Sequence, residues 1–103
     1  MRIIIGGAGR VGTELARALR AEEMDVVLVD SDSRAVKNAQ NLDVLVIHGD
    51  LTTREKLNEA GIGEAEIFVA ATNSDERNLL ACALAEHAPV SYTHLTLPTI
   101  LLV

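Results

Sequence analysis

The stretch MRIIIGGAGRVGTELARAL (1–19) contains the segment that decides the fold, GGAGRVG at positions 6–12. A short apolar run precedes the glycines and an amphipathic segment follows them, so the stretch predicts a strand, a tight turn and a helix. Gly7, Gly9 and Gly12 have the spacing G-x-G-x-x-G. In that spacing the first glycine permits the turn, the second lets a pyrophosphate approach the backbone, and the third allows close helix–strand packing. The stretch therefore predicts a phosphate-binding loop at a helix N-terminus.

The rest of the sequence, up to residue 88, alternates between apolar runs and amphipathic segments. Strands are predicted at 2–5, 25–30, 43–50 (with its exit loop) and 66–71, and helices at 10–22, 33–41, 53–60 and 75–87. Successive strand–helix units predict parallel strands with right-handed crossovers. The expected fold is therefore α/β, a doubly wound parallel sheet limited to four βα units. Predicted helix caps are Ser33, Thr52 (in a capping box with Glu55) and Ser74, and the predicted inward face of the first helix is Val11, Leu15, Ala18 and Leu19.

Composition narrows the class of protein. With 103 residues there is room for one small domain, and the net charge of −6 argues against a nucleic-acid or anionic-membrane surface. Apolar residues make up 49% but aromatics only 2%, so the core is expected to consist of aliphatic side chains, as in helix-covered parallel sheets. The single cysteine, Cys82, excludes a disulfide or a cysteine metal site within the chain. No apolar run approaches the roughly 20 residues of a membrane span, and a cytoplasmic location is expected.

An acidic residue at the end of the second predicted strand supports the phosphate-loop interpretation. Asp30 lies 18 residues after Gly12, close to the usual separation of about 20. Its carboxylate would accept hydrogen bonds from the adenosine ribose and repel a 2′-phosphate, which favours NAD or an adenine nucleotide over NADP. Arg34 is a counter-signal, since a nearby arginine can accommodate that phosphate. The alternative is that the glycines only shape a turn and Asp30 is a solvated strand end.

Two more loops leave the carboxyl ends of predicted strands, where ligands bind in such sheets. Gly49 and Asp50 are expected near an adenine, and Thr72 and Asn73 beneath the ribose and phosphates, although all four are also ordinary loop residues.

Other polar residues are interpreted as structural. His48 ends an apolar strand, Cys82 is a candidate small core residue, and the cluster of Arg17, Arg20, Glu22 and Glu23 is a solvated face. The sequence shows no Ser-His-Asp set, paired carboxylates or metal-ligand spacing.

Four segments together resemble a known family: MRIIIGGAGRVGTELARAL, VVLVDSDS, VIHGDLTTREKLNEAGI and FVAATNSDERNLLACALA. Over residues 1 to about 88 the chain is similar to the N-terminal domain of the Trk-type potassium uptake regulator, in the RCK or KTN family of Rossmann domains. The resemblance implies a cytoplasmic regulatory domain rather than an enzyme, which binds NAD(H) or an adenine nucleotide such as ATP or ADP. It also implies a homo-oligomer that gates a membrane potassium-transporting subunit and is peripheral to the inner face of the membrane, with neither nucleic-acid binding nor membrane insertion. Family ligand contacts fall on Gly7, Ala8, Gly9, Arg10, Val11, Asp30, Asp50, Thr72 and Asn73.

One departure from the family pattern keeps a second class open. Gly6 stands where the family commonly has a bulky aliphatic residue, so Gly6, Gly9 and Gly12 also spell G-x-x-G-x-x-G, as in short-chain dehydrogenase-like proteins. Such NAD(P)-dependent oxidoreductases need a Tyr-x-x-x-Lys pair, whereas Tyr92 is followed four residues later by Thr96. The alternative is therefore an oxidoreductase whose catalytic part is missing, or a relative that only senses the cofactor.

The final stretch, PVSYTHLTLPTILLV (89–103), departs from the preceding pattern. In one interpretation VSYTHLTL (90–97) is a fifth strand that Pro98 ends. In the interpretation favoured here, the stretch resembles the in-frame translation of a transposase-type sequencing-library adapter. We then expect residues 1–88 to form an incomplete RCK N-terminal domain and residues 89–103 to be a non-native tail.

Overall fold

The computed structural model describes residues 2–86 and 99–102 and shows a five-stranded parallel sheet with helices on both faces. The elements in chain order are β1 Arg2–Gly6, α1 Arg10–Ala21, β2 Asp25–Asp30, α2 Ser33–Ala39, β3 Leu45–His48, α3 Arg54–Ala60, a 3₁₀ turn Ile62–Glu64, β4 Ile67–Ala70, α4 Asp75–Glu86 and β5 Thr99–Leu102. The strand order is β3-β2-β1-β4-β5. This order confirms the predicted doubly wound α/β class, with a fifth strand added to the four predicted units.

The core consists of two apolar layers, one on each face of the sheet. Ile4 pairs in register with Val27 on one side and Phe68 on the other, and all three belong to the layer under α3 and α4. Their strand neighbours, such as Ile3 and Leu28, belong to the opposite layer with residues of α1 and α2. Because both faces are buried, the strand sequences are continuously apolar rather than alternating.

Helix α1 packs on the sheet along a face rotated from the predicted one: Leu15 and Leu19 pack against the core as predicted, and Val11 and Ala18 do not. Its buried residues are Gly12 and Ala16, whereas Val11 is 50% exposed and Ala18 is also exposed. The prediction was therefore wrong for Val11 and Ala18. A Cβ atom on Gly12 would lie 1.7 Å from the carbonyl oxygen of Gly7, so this close backbone contact fixes the rotation of the helix.

Two of the three predicted helix caps are displaced by one residue. Asp32, not Ser33, caps α2 by accepting a 3.0 Å hydrogen bond from the backbone N–H of Arg34. Thr53, not Thr52, caps α3 by accepting one from the backbone N–H three residues on, at 3.3 Å. Ser74 accepts the expected bond in the first turn of α4, at 3.3 Å. Where two capping residue types are adjacent, the tertiary position of the loop selects one of them.

Strand β5 lies at the edge of the sheet beside β4. The backbone N–H of Thr99 donates to the Glu66 carbonyl at 2.7 Å, while Leu101 and Leu102 remain 47% and 56% exposed. The alternative strand VSYTHLTL lies outside the described residues, as does the predicted helix end at His87.

Candidate functional site

The carboxyl ends of β1 to β4 surround a cavity of about 670 Å³. It lies where the strand order reverses, between β1 and β4, which is the ligand position in doubly wound sheets. Nine of the eleven predicted ligand residues line it: Gly7, Gly9, Arg10, Val11, Asp30, Gly49, Asp50, Thr72 and Asn73. Of the other two, Ala8 is buried and borders a neighbouring cleft, and Gly12 lies buried beneath the loop. The contacts of all eleven residues with a ligand stay predictions.

The three motif glycines differ in what requires them. Gly7 has a φ of +123°, and a Cβ there would lie 2.6 Å from the Ala71 carbonyl oxygen. At Gly12 there is no space for a Cβ atom, because the Gly7 carbonyl lies against it. Gly9 has an ordinary φ of −81°, and a Cβ there would meet nothing within 4 Å. The fold therefore requires glycine at the first and third positions, and open space lies above the second.

Asp30 fastens the glycine loop to the end of β2. One carboxylate oxygen accepts a hydrogen bond from the backbone N–H of Ala8 at 2.8 Å, and the other accepts one from the backbone N–H of Asp32 at 2.8 Å. Each carboxylate oxygen has a further lone pair, so these bonds leave Asp30 able to accept a ribose hydroxyl as well. Asp30 thus positions the loop whatever its part in binding a ligand.

Asp50 lines the cavity from the exit loop of β3, next to the end of β2, where the Gly49 N–H donates to the Asp30 carbonyl at 2.9 Å. Its Oδ1 accepts hydrogen bonds from the backbone N–H of Thr52 (2.8 Å), the Thr52 hydroxyl (2.6 Å) and Nη2 of Arg77 (2.7 Å). The Thr52 hydroxyl is the main cause of a lowered Asp50 pKa; burial opposes it, and the Thr52 amide and Arg77 add to it. The cavity wall therefore carries an ionised carboxylate with one oxygen already satisfied.

Sequence reasoning missed Arg77, which extends from the first turn of α4 to the exit loop of β3 and lines the cavity. Its partner Asp50 is 27 residues away in sequence, beyond the range of any local pattern. One signal was available, because a cation in the first helical turn opposes the helix dipole and needs a compensating partner.

The exit loop of β4 is closed by its own hydrogen bonds. The Thr72 hydroxyl donates to the Asn78 side-chain oxygen, which also accepts the Thr72 N–H at 3.1 Å. The Asn78 amide returns a 3.1 Å bond to the Thr72 carbonyl, and Asn78 is only 1% exposed. Asn73, in contrast, is exposed at the cavity. Thr72 therefore lines the cavity with a hydroxyl that is committed to the loop, and Asn78 is a structural residue that sequence reasoning missed.

The remaining polar candidates lie apart from the cavity lining. The His48 ring nitrogen Nε2 is 3.0 Å from the Ser31 carbonyl, so His48 ties the end of β3 to the loop after β2. Cys82 is half-buried, and burial raises the pKa of its thiol, which disfavours the nucleophilic thiolate. Over residues 2–86 and 99–102, none of the helices is long and apolar enough to cross a membrane.

A parallel sheet of this order, with a glycine loop at the reversal point, defines a Rossmann-type domain. Residues 3–96 match the family model of the TrkA-N domain, and the chain belongs to that family. The family resemblance of the sequence is thereby confirmed.

Curated relatives agree with the family match. The chain is 44% identical over 88 residues to the "Trk system potassium uptake protein TrkA homolog" of Pyrococcus abyssi, covering 84% of this chain and 39% of the relative. It is 40% identical over 100 residues to the "Trk system potassium uptake protein TrkA" of Haemophilus influenzae, covering 96% of this chain and 20% of the relative. The chain thus spans well under half the length of these relatives.

Solved structures show the same fold at low identity. The Kef CTD of Shewanella denitrificans in AMP-bound form has a TM-score of 0.77 at 24% identity, covering 99% of this chain and 58% of that one. The UDP-glucose 4-epimerase of Thermus thermophilus in complex with NAD has a TM-score of 0.63 at 19% identity, covering 81% and 32%.

Proposed function

We propose that this chain is the nucleotide-binding regulatory domain of a potassium uptake system and performs no chemistry itself. The observation that carries the proposal is that the fold itself does not require glycine at position 9 of the motif. Neither its backbone angles nor its neighbours demand glycine, whereas a phosphate approaching the start of α1 does. The potassium-transport assignment is supported by the names of the Trk relatives.

The proposed ligand is NAD(H) or an adenine nucleotide such as ATP or ADP. AMP and NAD, found in the two structural neighbours, share an adenosine 5′-phosphate. In this chain the phosphate would accept hydrogen bonds from backbone N–H groups at the start of α1, and Asp30 would accept hydrogen bonds from the ribose hydroxyls. Asp50 would offer its second carboxylate oxygen to the adenosine from the exit loop of β3.

The proposed regulatory step uses the ion pair between α4 and the exit loop of β3. Arg77 belongs to α4, and its Nη2 donates to Oδ1 of Asp50 at 2.7 Å beside the cavity. A ligand phosphate that attracts Arg77 would change this contact and with it the position of α4 relative to β3. Such a ligand shifts a homo-oligomer between arrangements by its differential affinity for them, and so gates the membrane potassium-transporting subunit from the cytoplasmic side.

The binding proposal is tested by calorimetric titration of AMP, ADP, ATP, NAD and NADH into the wild type and Gly9→Ala. We expect saturable binding to the wild type and a loss of at least about tenfold in the variant, about 1.4 kcal/mol. The free energy of unfolding should change by no more than about 1 kcal/mol, the scale of a helix-cap substitution. Equal affinity of the two proteins for every nucleotide would contradict the proposal.

The transport proposal is tested in the full-length parent protein. Gly9→Ala in the parent should alter nucleotide-dependent potassium uptake by cells while leaving the abundance of the protein unchanged. Uptake that is the same with and without the substitution would contradict the regulatory assignment. Nucleotide-dependent oxidation or reduction of a substrate by the parent would instead favour the oxidoreductase alternative.

A further inference from the structure

The cations of this acidic chain are unevenly distributed. Of its nine lysines and arginines, four form ion pairs: Arg2, Arg20, Lys56 and Arg77. The other five form none with the described part of the chain: Arg10, Arg17, Arg34, Lys37 and Arg54. Three of those five line one cleft. In a protein with a net charge of −6, this is a local concentration of uncompensated positive charge.

The cleft has a volume of about 410 Å³ and lies between α1 and α2, beside the glycine loop. Arg10 and Arg17 come from α1 and Arg34 from α2, and the amides of Asn38 and Asn41 complete the polar wall. The one acidic residue in the lining is Asp32, whose carboxylate already accepts the N–H of Arg34 as the cap of α2. The cleft therefore presents three cations and two amides against one engaged carboxylate.

Arg17 and Arg20, which the sequence analysis assigned to one solvated face, have different surroundings in the structure. Arg20 pairs with Asp43 at 3.3 Å, which accounts for it as a surface ion pair. Arg17, one turn earlier on α1, lines the cleft without such a partner in the described part of the chain. Since Gly9, Arg10 and Asp32 border both the cleft and the main cavity, a group held in the cleft would lie directly beside the proposed nucleotide.

We infer that this cleft binds a phosphate group next to the nucleotide; the inference rests on the proposed function for the identity of that neighbour. Arginine forks match phosphate oxygens in paired hydrogen bonds, and asparagine amides add neutral donors. The phosphate has two sources to distinguish, the 2′-position of the bound nucleotide or a separate inorganic anion such as pyrophosphate. Asp30, at the ribose end of the main cavity, disfavours the first source by charge repulsion.

The test is calorimetric titration with probes that distinguish these sources. Adenosine 2′,5′-bisphosphate is compared with AMP for the first source, and inorganic pyrophosphate is titrated with and without saturating AMP for the second. Arg17→Gln/Arg34→Gln should weaken the binding of one or both phosphate-rich probes by at least about tenfold, the scale of one lost charge-assisted contact. AMP affinity should change less than about twofold.

Lys37→Gln is the matched control, because Lys37 is an exposed cation on α2 that does not line the cleft. An equal loss of probe binding in this control, or no loss in the double variant for either probe, would overturn the inference. If AMP fails to bind the wild type, the proposed function fails. In that case pyrophosphate titrated without AMP still tests whether the cleft binds phosphate, because its affinity should fall in the Arg17→Gln/Arg34→Gln variant.

Discussion

The glycine loop and the exit loop of β4 face the same cavity but differ in which of their polar groups are already bonded. In the glycine loop the Ala8 amide is bonded to Asp30, while open space lies above Gly9 and the amides at the start of α1 lack intrahelical partners. The β4 loop is closed by side chains, with the Thr72 hydroxyl bonded to the buried Asn78. The difference teaches that a position on the cavity wall does not make a polar residue a ligand contact. What decides is whether its donors and acceptors are already satisfied.

The largest effect is expected where the glycine loop has no free space. Gly12→Ala places a Cβ atom 1.7 Å from the Gly7 carbonyl oxygen, a backbone atom that cannot move aside as the end of a flexible side chain would. We expect a loss of about 3 kcal/mol in the free energy of unfolding, at the upper end for overpacking, as measured by urea denaturation. Gly9→Ala is the matched control, and an equal loss there would remove the contrast between the two glycines.

The next effect tests the side-chain closure of the β4 loop. Asn78→Ala removes the buried acceptor of the Thr72 amide and hydroxyl, which should cost about 2 kcal/mol of unfolding free energy. The hydroxyl then keeps only the Ser74 carbonyl at 3.2 Å as an acceptor. Asn73→Ala, in the same loop but exposed, should change it by less than about 0.5 kcal/mol. Thermal or urea melts of both variants give the comparison. Similar stabilities would mean that the hydrogen bonds of Asn78 do not hold the loop.

Asp30→Asn should have a smaller effect on stability, because the amide can still accept one of the two backbone hydrogen bonds. We expect a loss of about 1 kcal/mol, together with faster hydrogen exchange at the Ala8 amide. Unchanged exchange at that amide would show that Asp30 does not position the glycine loop.

The smallest effect concerns the pH dependence contributed by Asp50. Its folded pKa lies below the ordinary value of 3.8, mainly because the Thr52 hydroxyl donates to it. The stabilisation is therefore present above that value and is lost as the pH falls through the lower folded pKa. Because the Asp50 side chain is 39% exposed, solvent screening keeps the effect below about 1 kcal/mol. Asp50→Asn should flatten the fall in stability as the pH drops below the ordinary value of 3.8; an unchanged profile would exclude this contribution.

The sequence predicted the features that depend on local pattern. The strand–loop–helix unit around Gly7 and the sheet class follow from apolar runs and glycine spacing, and the structure has both. The sequence could not predict the ion pair of Arg77 with Asp50 or the hydrogen bonds between Asn78 and Thr72. Tertiary position decides which of these polar groups meet. The predicted cap of α3 was wrong by one residue for the same reason. The Thr52 hydroxyl donates to Asp50 instead, and Thr53 caps the helix.

The last fifteen residues (89–103) form a separate question. We propose that they are a non-native tail joined to an incomplete RCK N-terminal domain, as their resemblance to a translated adapter suggests. Strand β5 is compatible with this, since an edge position partly buries Ile100 but leaves Leu101 and Leu102 half exposed. Overlapping DNA reads from the source should continue differently after codon 88. Genomic DNA that encodes SYTHLTLPT would refute the proposal.

The most direct test of the central claim, that the open glycine loop and not the closed β4 loop receives the nucleotide phosphate, is an amide NMR titration with AMP. We predict the largest shift changes at the amides of Gly9 to Val11, which lie at the cavity and the start of α1. The Thr72 amide, bonded to Asn78 at 3.1 Å, should shift much less. Saturable binding that moves the Thr72 amide and leaves Gly9 to Val11 unchanged, or the absence of any shift, would contradict the account.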